Sequence, residues 1–80
     1  MNDLVISINT VEKVKSFVAK IATVPCDVDI MVGRYVIDAK SILGIFSVDI
    51  SKPLRLRIHA TTETEYKDAC WKIDEFIVKE

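Results

Sequence analysis

Asp27-Val28-Asp29-Ile30-Met31-Val32-Gly33-Arg34-Tyr35-Val36-Ile37 is the stretch whose reading decides the fold. Side chains alternate across an extended strand, so Val28, Ile30 and Val32 fall to one side and Asp27, Asp29 and Met31 to the other. Gly33-Arg34 then has the length and composition of a two-residue turn, and Tyr35-Val36-Ile37 returns as a second arm. A hairpin with one apolar and one polar face belongs to a sheet that is covered on one side and wet on the other.

Toward the N-terminus, Leu4-Val5-Ile6-Ser7-Ile8 is β-rich, with Leu4, Ile6 and Ile8 on one face, and reads as a first strand that Asn9 interrupts. Val11, Val14, Val18 and Ile21 follow at spacings of three and four, with Phe17 beside them, which is the stripe of an amphipathic helix. Asn9 with Glu12, or Thr10 alone, is placed to cap it. The helix is expected from Thr10 to Ala22, ending before Pro25 because proline disfavours helical geometry in the residue it follows.

Toward the C-terminus, Ser41-Ile42-Leu43-Gly44-Ile45-Phe46 is too short for a long helix and predicts one or two helical turns capped by Ser41. Pro53 opens a last strand, Leu54 to Ala60, in which Leu56 and Ile58 face inward and Arg55, Arg57 and His59 outward. Thr62 with Glu65 forms a capping box. The helix it starts carries Tyr66, Ala69, Cys70, Ile73, Phe76 and Ile77 on one stripe and is expected to run to the end of the chain, with Trp71 half-buried at its border. The order β-α-β-β-α-β-α predicts an α+β open-faced β-sandwich: a four-stranded antiparallel sheet with helices on one face.

With 80 residues the sequence has room for a single domain, residues 1–80. Half the residues are hydrophobic and 29% charged, the balance of a globular domain. Lys and Arg total 11 against 12 Asp and Glu, so no global field draws the chain to nucleic acid or an anionic membrane. Two cysteines are too few to staple a secreted fold, and the N-terminus has no signal-peptide pattern. The expectation is a cytoplasmic protein with free thiols. No apolar run is long enough to span a membrane, the two glycines make no phosphate-cradling loop, and the single histidine makes no metal pair. Neither metal nor cofactor is expected, most familiar enzyme signatures are absent, and a non-enzymatic protein is expected.

Asp27-Val28-Asp29-Ile30, Gly33-Arg34 and Lys40-Ser41-Ile42-Leu43-Gly44-Ile45-Phe46-Ser47-Val48 together resemble HPr, the small phosphocarrier family of the bacterial phosphoenolpyruvate:sugar phosphotransferase system. The Lys-Ser-Ile-Leu-Gly segment is the most specific part. Element order and length agree over essentially the whole chain, and the resemblance implies an HPr-like fold. That family accepts phosphate on a histidine at the start of its first helix, within Gly-Ile-His-Ala-Arg-Pro-Ala. Here the stretch reads Ile8-Asn9-Thr10-Val11-Glu12-Lys13-Val14, so Thr10 falls at the histidine position and Glu12 at the arginine position.

A threonine ester would hold phosphate too stably for transfer, and Glu12 sets a negative charge where a dianion would arrive. The resemblance therefore implies an HPr-like protein degenerate in phosphotransfer, acting as a regulatory or protein-binding module. A phosphocarrier with an unrecognised acceptor and a purely structural interaction subunit are the rival readings. In many Gram-positive members of the family, the serine matching Ser41 is phosphorylated by an ATP-dependent kinase; the same residue also reads simply as a helix cap. Lys40, Ile42, Leu43 and Phe46 lie where the family docks protein partners. Asp27 and Asp29 are expected to make cross-strand ion pairs with Arg55 and Arg57 on a solvated face.

Overall fold

Residues 3–79 are described by the computed structural model. Four strands, β1 (Asp3–Ile6), β2 (Val28–Val32), β3 (Tyr35–Asp38) and β4 (Leu54–Ile58), form one sheet in the order β1-β4-β2-β3, with every neighbouring pair antiparallel. β4 is the central seam. Its Leu56 lies opposite Leu4 on one side and Ile30 on the other, and Ile30 lies opposite Ile37, so an apolar row crosses the whole sheet. One residue along, the row reads Asp3, Arg57, Asp29, Asp38, and it faces the other way. The fold is the α+β open-faced sandwich that the periodicity predicts.

The apolar face is covered by α1 (Val11–Ile21), α2 (Ile42–Phe46) and α3 (Glu63–Lys72). Ile6, Ile8, Phe17, Ile30, Ile45, Leu56 and Ile73 have no solvent exposure at all. Each such side chain contributes about 1.5–3 kcal/mol by leaving water. Helix starts are local chemistry: Thr10, Ser41 and Thr62 hydroxyls accept from the backbone N–H three residues on, those of Lys13, Gly44 and Glu65, each at 3.1 Å. Of the two caps the sequence permits for α1, Thr10 is the one formed. At the hairpin, Gly33 takes φ 58°, the left-handed region that the two-residue turn requires.

Four expectations need correction. The last helix does not reach the chain end. It stops at Lys72; Ile73 leaves helical geometry, and a 3-10 turn over Asp74–Phe76 follows. This break swings Phe76 inward, where its ring meets Phe17 edge to face at 5.7 Å and 85°. The tail then runs antiparallel to β1: Ile77 pairs with Ile6, the Ser7 N–H donates to the Phe76 carbonyl and the Val78 N–H to the Val5 carbonyl, both at 2.8 Å. Burying Phe76 and satisfying the edge of β1 outweighs two more turns of helix.

Trp71 is 78% exposed, because one step past Cys70 rotates a side chain about 100° off the buried stripe. β1 and β4 are shorter than expected, ending at Ile6 and Ile58, although Ile8 remains buried. The ion pairs on the polar face also form differently. Arg57 sits opposite Asp29 in register but turns to its other neighbour, meeting Asp3 through two bonds of 2.8 and 2.9 Å. Asp29 instead meets His59 at 2.8 Å, and Arg55 has no carboxylate partner among the described residues.

Candidate functional site

α1 begins where the first strand's chain turns back over the sheet, which places Thr10 and Glu12 at an exposed helix start. The Thr10 hydroxyl is engaged with the Lys13 N–H, and the Lys13 ammonium donates to the Asn9 side-chain oxygen at 3.2 Å. Glu12 lies in the first turn, where its carboxylate complements the helix dipole. A carboxylate that stabilises the helix there would also repel any dianion brought to the same helix start. His59, the chain's sole imidazole, lies on the uncovered face of the sheet against Asp29, away from the helix layer.

α2 packs against both α1 and β3. Its short length is enough to split its side chains between two environments. Ile45 is fully buried, Ile42 is half-buried against the core, Leu43 is 81% exposed and Phe46 40% exposed. Gly44 permits this seat: a Cβ there would stand 2.7 Å from the Ile37 methyl carbon Cγ2 and 3.2 Å from the Ser41 hydroxyl oxygen. At the head of α2, Ser41 is half-buried and its hydroxyl accepts from the Gly44 N–H. Lys40 donates from its ammonium to the Val24 carbonyl at 2.7 Å, tying the entry of α2 to the loop after α1. Its charge is therefore anchored beside the patch.

The structure thus brings Ser41, Ile42, Leu43 and Phe46 together on one short helix, with Lys40 beside it. Thr10 and Glu12 stand at the start of α1, the helix that α2 packs against. Among the described residues no three His, Cys, Asp or Glu side chains are grouped as a metal site needs. Cys26 and Cys70 are free and half-buried, and burial pushes the Cys70 thiol above its ordinary value. No helix among the described residues is long and apolar enough to cross a membrane.

Two features escaped the sequence. Trp71 overhangs a groove between the C-terminal ends of α1 and α3, lined also by Ala19, Lys20, Thr23 and Glu75, in which the Lys20 ammonium pairs with Glu75. On the opposite face, Asp27, Asp29, Asp38 and His59 line one depression. The register of β2 on β3 sets Asp29 directly against Asp38. No short-range pattern encodes that pairing.

No protein-family model matches the chain. No curated protein matches it either. Among solved structures, the crystal structure of HPr-C-His from Thermoanaerobacter tengcongensis superposes with a TM-score of 0.71, covering 94% of this chain and 92% of that one at 22% identity. A likeness at that identity establishes the fold: four antiparallel strands with three helices, of the HPr type.

Proposed function

We propose that this chain is a member of the HPr family that has lost phosphotransfer and serves, without enzymatic activity, as a cytoplasmic regulatory or binding module that docks protein partners on α2. The observation that carries the reading is the start of α1. Thr10 caps the helix at the place where the resemblance expects the phosphoacceptor histidine, and Glu12 stands in place of the arginine. An imidazole supports a labile N–P bond, whereas a threonine hydroxyl with no adjacent base does not. Leu43 and Phe46 supply exposed apolar surface with Ile42 at its inner edge, which suits an interface core. Lys40 and Ser41 border it. A phosphate on Ser41 would add about −1.5 to −2 charge beside that surface and alter which partner fits it.

Incubation with phosphoenolpyruvate, Enzyme I and labelled phosphate tests the first half: no acid-labile label is expected on the wild type. Thr10→His with Glu12→Arg should take up label better than Thr10→His alone. Uptake by the wild type at a rate comparable with ordinary HPr would overturn the reading. Mass spectrometry after HPr kinase and ATP tests Ser41, and partner binding by Phe46→Ala and Leu43→Ala variants tests the patch separately. A partner that binds both variants as it binds the wild type removes the patch from the proposal.

A further inference from the structure

The two edges of the sheet are treated differently. Along β1 the tail supplies backbone partners, through the Ser7 and Val78 amides, so that edge is closed. Along β3 no segment pairs on the outer side among the described residues, although Tyr35 and Val36 are 71% and 66% exposed. An uncovered edge with exposed apolar side chains is a template for another strand unless something blocks it. β3 carries no proline and no lysine.

Backbone direction along β3 follows from alternation. The Ala39 N–H bonds to the Val28 carbonyl on β2, so the groups of Ile37 and Tyr35 also turn toward β2, and the N–H and C=O of Val36 turn outward. The Asp38 carbonyl is already taken by the Ser41 N–H, while its own N–H points outward. A second strand must therefore pair at Val36. If it is another β3 related by a two-fold axis through Val36, then Val36 faces Val36, Tyr35 faces Ile37, and Arg34 faces Asp38, twice over.

The charges fit this partner. Neither Arg34 nor Asp38 has a counter-charge within ion-pairing distance among the described residues. Asp38 also lies opposite Asp29, and like charges set directly across a ladder are unfavourable. The nearest basic side chains are engaged elsewhere: Arg57 with Asp3, the His59 imidazole with Asp29, and Lys40 with the Val24 carbonyl, while Arg55 stands on β4 opposite Met31, two strands from Asp38. An arginine arriving at Asp38 relieves this repulsion, and the two-fold pairing delivers one to each copy.

We propose that β3 is a self-complementary edge through which two copies of this chain pair antiparallel about Val36, joining their sheets into one of eight strands, with Arg34 of each copy on Asp38 of the other. The interface lies on the strand edge and leaves Leu43 and Phe46 out of the pairing register, so it stands independently of the proposed docking function.

Sedimentation equilibrium on the full chain, from about 10 μM to about 1 mM, tests the proposal. The average mass is expected to rise toward twice 9.0 kDa, and the Val36 amide to gain protection from hydrogen exchange with concentration. Arg34→Glu and Val36→Lys should each weaken association at least about tenfold, Arg34→Lys should retain it, and Arg34→Glu with Asp38→Lys should restore it. Asp38 also accepts the Lys40 N–H, so substitution there removes a bond at the entry of α2. If the double variant fails to fold, the contrast of Arg34→Glu with Arg34→Lys decides the same point. A monomer throughout, or a dimer indifferent to both Arg34→Glu and Val36→Lys, overturns the proposal.

Discussion

Gly44→Ala is the perturbation that best tests how α2 is seated. On helix propensity alone the change should stabilise, by up to about 1 kcal/mol. Its added methyl, however, would stand 2.7 Å from Ile37 Cγ2 and 3.2 Å from the Ser41 oxygen. Carbon atoms settle about 3.5–4.0 Å apart, so the overlap with Ile37 is roughly 1 Å. Ile37 cannot swing that methyl away freely, because it is branched at Cβ and sits in a paired strand. Overpacking of this kind costs about 1–3 kcal/mol, and displacing the Ser41 cap adds about 0.5–2 kcal/mol. The terms combine to a net loss of about 0.5–4 kcal/mol, and a loss of about 2 kcal/mol lowers Tm by roughly 8–16 °C in a domain of this size.

Thermal and urea unfolding followed by circular dichroism measure it. The Ile37→Ala background removes the clashing methyl, and there the cost of Gly44→Ala should shrink by the overpacking part, about 1–3 kcal/mol, leaving the Ser41 contact against the gain in helix propensity. If Gly44→Ala is as stable as the wild type, or if its cost is the same in both backgrounds, the steric account is wrong.

Phe76→Ala should cost about 3–5 kcal/mol, since it empties a buried site against Phe17. Trp71→Ala should stay within about 0.5 kcal/mol of the wild type because its ring is largely in solvent; equal losses in urea titrations of the two would refute the break in the last helix. Hydrogen bonds from Arg57 hold the Asp3 carboxyl below its ordinary 3.8, and the Thr61 N–H and hydroxyl hold that of Glu65 below 4.5. Both groups therefore bind fewer protons folded than unfolded around and below pH 4, and the stability they contribute is present above that range and lost as pH falls through their lowered values. Urea midpoints across the acid range should fall less steeply for Asp3→Asn than for the wild type, and an unchanged slope would remove Asp3 from the account.

The hairpin, the three helix starts and the inward rows of the sheet were legible in the sequence because each depends on residues within a turn or two of one another. Gly33-Arg34 sets its turn by glycine's access to positive φ, and Thr10, Ser41 and Thr62 cap by bonding three residues ahead. The grouping of Ser41, Ile42, Leu43 and Phe46 was readable for the same reason, as one short helix. What that helix shows to solvent depended on Ile37, which only the folded sheet brings beneath Gly44.

The last helix carries a continuous apolar stripe, and nothing local in Ile73-Asp74-Glu75-Phe76 announces its end. It stops because Phe17 and the edge of β1, both distant in the chain, offer Phe76 and the tail more than a further helical turn does. Arg57 likewise lies between two strands with a carboxylate on each, and its choice of Asp3 over Asp29 leaves Asp29 for His59 and leaves Asp38 without an ion-pair partner among the described residues. Periodicity assigns a residue to a face. Which neighbour it meets on that face follows from strand order and register, and these are fixed only when the whole sheet closes over its core.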